Sequence, residues 1–471
     1  MRLRRARGGL LALLLLTAAL AAQGMPGLPA RGRLVEGVAC RSDPSQTYTL
    51  YVPERYAADR TWPALLILDP RGRSARAAEL FRGPAEEYGW ILLSSNDTRS
   101  DGPMEPNIRA MQALWPEVHE RYSTDANRVY IAGFSGGAML AWEVGRRTGQ
   151  VAGVIGSGGR WLPEHFEEPI RFPSFGAAGD VDFNYDQMKA LHSRLREWGT
   201  PERLEIFEGP HSWMPAGLAR EAVEWMEVQA IRAGLRKGDD ALVARLLARD
   251  LAVAAGLEEE GRLLDAQRRY EAAARTFEGL VSVADARREA ARLASLPAAR
   301  RALEEEGKWD AWEQVTLRRH ADVYRELMTA EPPFLLAAFR SAFGLDELRR
   351  RARAEGYEGV VAQRLLQSLA TQAGFYLPRE LMQRGDYARA AVALAIATEA
   401  VPDRPVVWYN LACSRARVGA RTEALDALEE AVALGFSDRA HIASDDDLSS
   451  LRGEARFQAL LGPDSARSTK P

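Results

Sequence analysis

The chain has 471 residues, of which 46% are hydrophobic and 27% charged, with a formal net charge of −3. That length allows two or three domains, each with its own core, and the composition is that of an ordinary globular protein. The charge gives no basis for nucleic acid as a partner, and two cysteines, Cys40 and Cys413, are too few for a disulfide-built scaffold. They fall in different predicted domains, which favours two separate buried thiols over a bridge. The six histidines are scattered without metal-ligand spacing, so neither a metal nor a cofactor is expected.

Arg2, Arg4, Arg5 and Arg7 precede an apolar or small stretch from Gly9 to Ala22, and small residues near Ala19-Leu20-Ala21 allow cleavage. A charged start, a short apolar run and a small-residue exit read as a secretory signal peptide over 1–22. The run is too short for a comfortable membrane span. The expectation is an exported chain, secreted or periplasmic, with no membrane span after cleavage; the other reading is an uncleaved anchor.

From about Arg33 to Gly234, short apolar runs alternate with amphipathic stretches. Gln46–Val52 alternates as a half-exposed strand does, and Pro63–Leu68 and Trp90–Leu93 are continuously apolar, like buried strands. Asn107–Tyr122 has helical spacing, Arg128–Ala132 reads as a strand and Gly136–Arg146 as a helix. Val151–Ile155, Phe175–Ala178 and Leu204–Phe207 are further strands, with helices over Asp186–Trp198 and Leu218–Ala233. This alternation predicts an α/β domain over 33–234, with a mainly parallel sheet covered by helices on both faces.

After Lys237-Gly238-Asp239-Asp240 the pattern becomes helical throughout, and an all-α half is expected: stacked α-hairpins over 239–370, repeats over 371–462 and a frayed tail at 463–471. Gly385-Asp386-Tyr387 with Ala390, Leu394 and Ala397 recurs 34 residues on as Gly419 with Ala424, Leu428 and Ala431. Trp408, Leu411 and Ala412 fill large and small positions between the two copies. The period and these positions resemble the tetratricopeptide repeat, which implies closely packed helix pairs and a surface for a protein partner. Arg421 stands where that repeat has an aromatic residue, and no proline closes the second copy.

The chemistry centres on Gly133-Phe134-Ser135-Gly136-Gly137, at the end of a predicted strand and the start of a helix. A turn this tight needs small neighbours and lifts the serine Oγ at the C-terminal edge of the sheet. The N–H of Gly136, at a helix N-terminus, can face a developing negative charge. A nucleophilic serine needs a base and an orienting acid. Gly179-Asp180-Val181-Asp182 and Gly209-Pro210-His211-Ser212-Trp213 both follow strand ends on the same edge, in the order serine, acid, histidine. His119, His165 and His192 read as solvated helix residues. Ser157, in Gly156-Ser157-Gly158-Gly159, is a candidate pocket residue or part of a close-approach loop, and Trp213 a pocket wall or core.

These three motifs resemble the α/β-hydrolase superfamily, and within it the secreted esterases related to polyhydroxybutyrate depolymerases and feruloyl esterases, over roughly residues 35–232. The resemblance implies Ser135 as nucleophile, His211 as base, and Asp182 rather than Asp180 as the acid, because the family places it three residues after the glycine. It implies an acyl-enzyme and an ester substrate. The oxyanion hole would use the Gly136 N–H and a second donor from Asp69-Pro70-Arg71-Gly72, where the family has His-Gly. Pro70 has no N–H, so Arg71 is the expected donor, with Gly72 as the alternative. The connection Arg160–Pro173 is too short for a large lid, so the site is expected to be shallow and suited to polymeric or bulky acyl esters, with Trp161 and His165-Phe166 lining it. Two other functions fit the same residues: a serine peptidase of the same fold, and a repeat-based interaction protein with an inactive hydrolase scaffold.

Overall fold

The computed structural model describes residues 30–159 and 169–462. The signal-peptide segment, Trp161, His165 and the C-terminal tail lie outside the described residues. Eight strands, mostly parallel and flanked by helices, make one mixed sheet, so the expected α/β class is observed, and a helical region follows. Backbone contacts divide the chain into two compact units, Met1–Gly153 and Val154–Pro471.

In the first unit the strands β1 (Leu34–Ala39), β2 (Thr47–Tyr51), β3 (Trp62–Leu68), β4 (Ile91–Ser95) and β5 (Thr124–Phe134) lie in the order β1-β2-β4-β3-β5. β2 runs antiparallel to both β1 and β4, whereas β3 is parallel to β4 and β5. Every residue of β3 and β4 is buried, as expected of strands covered on both faces. Helix α1 (Ser74–Tyr88) buries Ala77, Ala78, Phe81 and Ala85 and ends at Gly89, whose left-handed φ of 78° lets its N–H close on the Ala85 carbonyl. The expected helix over Asn107–Tyr122 is α2 (Glu105–Pro116) extended by a wide turn, Glu117–Arg121. Within that turn Glu117 is buried and accepts from Arg41 N, Tyr48 OH and Arg121 Nη1. Helix α3 (Gly136–Thr148) follows β5 directly.

In the second unit β6 (Gly153–Ser157), β7 (Ser174–Gly179) and β8 (Glu202–Phe207) are parallel neighbours, joined by α4 (Tyr185–Glu197) between β7 and β8 and followed by α5 (Ala216–Arg232). Small residues on β7 admit neighbouring side chains: a Cβ at Gly176 would lie 2.1 Å from His192 Nε2. His192, expected on a solvated face, is buried with Nδ1 3.0 Å from Glu202 Oε2.

Among the described residues after Gly238 every regular element is helical, from α6 (Asp240–Glu259), α7 (Leu263–Phe277) and α8 (Ala284–Ser295) through the long α9 (Pro297–Thr329). Then come α10 (Leu336–Phe343), α11 (Leu345–Arg351), α12 (Tyr357–Thr371), α13 (Leu377–Gln383), α14 (Tyr387–Ala400), α15 (Pro405–Arg417) and α16 (Arg421–Ala433), with three short helical segments after them. Gly385 and Gly419 have φ of 77° and 82° just before α14 and α16, and Ala390, Ala397, Ala412, Ala424 and Ala431 are fully buried where these helices meet. One apolar core runs without interruption from Trp309 to Phe457, across the boundary drawn at residue 370. Among the described residues no helix is long and apolar enough to cross a membrane.

Candidate active site

In the first unit β5 delivers Ser135 to a turn with φ 53° and ψ −122°. A non-glycine residue there costs on the order of 1–3 kcal/mol and persists only where the surroundings impose it. The surroundings are three glycines whose missing side chains are all needed. A Cβ at Gly133 would lie 2.2 Å from the Gly137 carbonyl oxygen, one at Gly137 2.0 Å from the Leu68 oxygen, and one at Gly136 2.4 Å from Ser100 Cβ. Gly136 opens α3, where the first N–H groups have no partner within the helix.

The turn after β3 departs from expectation. Asp69 is buried, and its carboxylate accepts from the backbone N–H of Arg71 at 2.8 Å and of Arg73 at 3.2 Å, and from the Arg73 guanidinium. The Gly72 N–H donates to the Asp69 carbonyl at 3.1 Å. Both second oxyanion donors named from the sequence, Arg71 and Gly72, are therefore committed within their own turn. For Arg71 the cause is the Asp69 side chain, which captures a backbone donor two residues on; for Gly72 it is the turn itself, closed on the Asp69 main-chain carbonyl.

In the second unit Asp182 and His211 meet. His211 Nδ1 lies 2.9 Å from each carboxylate oxygen of Asp182, which is fully buried. An ionised carboxylate only accepts, so Nδ1–H donates and Nε2 is the acceptor nitrogen of the ring. The Phe183 ring lies 4.2 Å from the imidazole, centroid to centroid. Asp182 Oδ1 also accepts from the Asn184 N–H at 2.7 Å, just before α4, and Asn184 Nδ2 donates to the Gly158 carbonyl at 2.7 Å. Asp182 thus closes the start of α4 and holds the imidazole together.

Asp180 is used differently. Its Oδ1 accepts from the Gly209 N–H at 2.9 Å, and its own N–H donates to the Phe207 carbonyl. It ties the turn after β7 to the loop that carries His211. Ser157, a candidate pocket residue, is fully buried instead: its Oγ accepts from Met214 N at 3.0 Å and donates to the Ser212 carbonyl at 3.2 Å. It braces the loop around Trp213, which is half-buried. Gly158, Phe183 and Asn184, none of them singled out as site residues on the sequence, surround the pair; only the glycine cluster at 156–159 marked the place beforehand. Among the described residues no group of three or more His, Cys, Asp or Glu side chains could hold a metal ion.

No protein-family model and no curated protein sequence matches the chain. Parts of solved structures align with it. A thermostable esterase is 20% identical, with 41% of this chain aligned to 62% of that one and a TM-score of 0.35. An esterase from Rhizomucor miehei is 13% identical over 43% of this chain and 83% of that one, with a TM-score of 0.35. FphF, a fluorophosphonate-binding serine hydrolase of Staphylococcus aureus, is 13% identical over 42% of this chain and 99% of that one, with a TM-score of 0.36.

Proposed function

We propose that the chain is an exported serine hydrolase that cleaves carboxylic esters through an acyl-enzyme. In this reading Ser135 Oγ attacks the acyl carbonyl while His211 Nε2 takes its proton. Asp182 holds the imidazole in the required tautomer and stabilises its cation. The Gly136 N–H is one oxyanion donor. His211 then returns the proton to the leaving alcohol, and water, activated by the same base, releases the acid.

The observation that carries the reading is the buried Asp182 carboxylate set equally on both oxygens against His211 Nδ1. A buried carboxylate that fixes the imidazole tautomer is what a general base needs, and in the chain the pair follows a serine held at a strained elbow. Export rests on the charged and apolar N-terminal segment, and the paired helices around Gly385 and Gly419 are read as tetratricopeptide-like hairpins that dock a protein partner or the substrate. The test is hydrolysis of short-chain p-nitrophenyl esters by the purified chain. Ser135→Ala is expected to abolish turnover; a variant as active as the wild type removes Ser135 from the mechanism.

A further inference from the structure

Arg364 lies on α12, deep in the helical region, yet reaches the turn that carries Asp182. Its side chain is almost wholly buried. Nε and Nη2 form a fork on Glu313 of α9 at 2.7 and 2.6 Å, and Nη1 donates to the Asp180 carbonyl at 2.7 Å. The guanidinium sits 3.8 Å over the Tyr185 ring at the first residue of α4. The planar fork fixes the direction of the third donor, which a flexible ammonium would not do.

The carbonyl it holds belongs to the residue that links both halves of the Asp182–His211 pair. Asp180 grips the His211 loop through Gly209 N–H, and two residues on the chain presents Asp182. The turn is otherwise held by its own neighbourhood: Asp180 N–H to the Phe207 carbonyl at 2.8 Å, Val181 N–H to the Gly209 carbonyl at 3.3 Å, Asp182 N–H to the Gly179 carbonyl at 3.1 Å, and the Asn184 and Tyr185 N–H groups on Asp182; Arg364 adds a hold from the helical region. We propose that Arg364 is a positioning residue for ester hydrolysis: by holding the Asp180 carbonyl it fixes the turn that presents Asp182 to His211. The helical region is then a working part of the catalytic unit as well as a docking surface. The inference rests on the hydrolase reading above.

The seam offers its own control. Lys189, also on α4, pairs with Glu306 and Asp310 of α9 at 3.3 and 3.0 Å without touching the 179–182 turn. In the full chain, Arg364→Ala is expected to lower kcat about 10- to 100-fold with KM within about twofold, since a shift of an ångström or less in a base costs rate and not substrate binding. Arg364→Lys should recover part of the loss, because an ammonium still donates to a carbonyl. Lys189→Gln should keep wild-type kcat even where it lowers the thermal midpoint. If Arg364→Ala does not fold, Glu313→Gln, which loosens the fork, should lower kcat at unchanged KM. Unchanged kcat in the folded Arg364 or Glu313 variant, or an equal loss in Lys189→Gln, overturns the inference while leaving the hydrolase reading intact. A wild-type chain without turnover overturns both.

Discussion

Gly158 stands so close to Asp182 that a methyl group on it would lie 2.7 Å from Asp182 Oδ2 and 3.1 Å from His211 Nδ1. Its φ of 54° also lies in the left-handed region. The absence of a side chain there is what lets the carboxylate and imidazole meet squarely. Gly158→Ala is expected to cost about 1 kcal/mol of stability from the backbone alone. It should lower kcat about 100-fold by displacing the pair, and chemical denaturation with steady-state kinetics on the one variant measures both.

The two neighbouring aspartates separate by function. Asp182→Asn leaves the shape but presents to Nδ1 either an N–H, which imposes the other tautomer, or an uncharged oxygen, and a loss in kcat of about 10⁴-fold is expected. Asp180→Asn keeps an acceptor for Gly209 N–H and should cost less than about tenfold, as a neutral amide oxygen still takes that bond. Kinetics of both on one p-nitrophenyl ester decide the matter, and a greater loss at position 180 reverses the assignment.

A buried charge network joins β8 to the helices that follow. Arg203 donates to Asp250 at 2.8 Å, and Arg269 reaches Asp250 and Glu221 at 2.7 Å each. Asp250 is fully buried. Burial alone would raise its carboxyl, but Arg203 and Arg269 outweigh it and hold it at about 2. Asp250→Ala removes a buried acceptor from both guanidinium groups, which keep Glu205 and Glu221, and a loss of about 1.5–3 kcal/mol is expected, read by urea denaturation.

The helical region carries its own acid sensitivity. His320 is buried, and desolvation lowers its imidazole to about 4 despite its bond to the Phe343 carbonyl. A histidine lowered in the folded state binds its proton more readily once unfolded. Its contribution is therefore present above about pH 6.5 and is lost as pH falls toward 4, by about 3 kcal/mol in all. Denaturation midpoints from pH 7 to 4 should fall, and His320→Asn should flatten that slope. An equal slope in the variant assigns the acid sensitivity to other groups.

Much of the sheet was legible because burial on both faces leaves an unbroken apolar run, as in β3 and β4. Other elements were hidden. Gly83-Pro84 breaks the periodicity of α1, and Gly37, at φ 67° beside a shift in the β1–β2 register, breaks that of β1. The glycines of the elbow announced Ser135 because backbone crowding is a local demand. Partners brought in from far along the chain left no such mark. His192 is buried because Gly176 makes room for it, and Arg364 matters through Asp180, Tyr185 and Glu313, each on another element. Arg71 read as a free donor because a sequence gives the N–H but not the Asp69 carboxylate that takes it.

The central claim is that Ser135 is a nucleophile activated by His211. Incubation of the full chain with a fluorophosphonate probe, followed by peptide mass spectrometry, tests it most directly. The expected result is a single adduct on the peptide containing Ser135, lost in Ser135→Ala and slowed in His211→Ala. An unlabelled wild-type chain, or an adduct on another residue that survives Ser135→Ala, would contradict it.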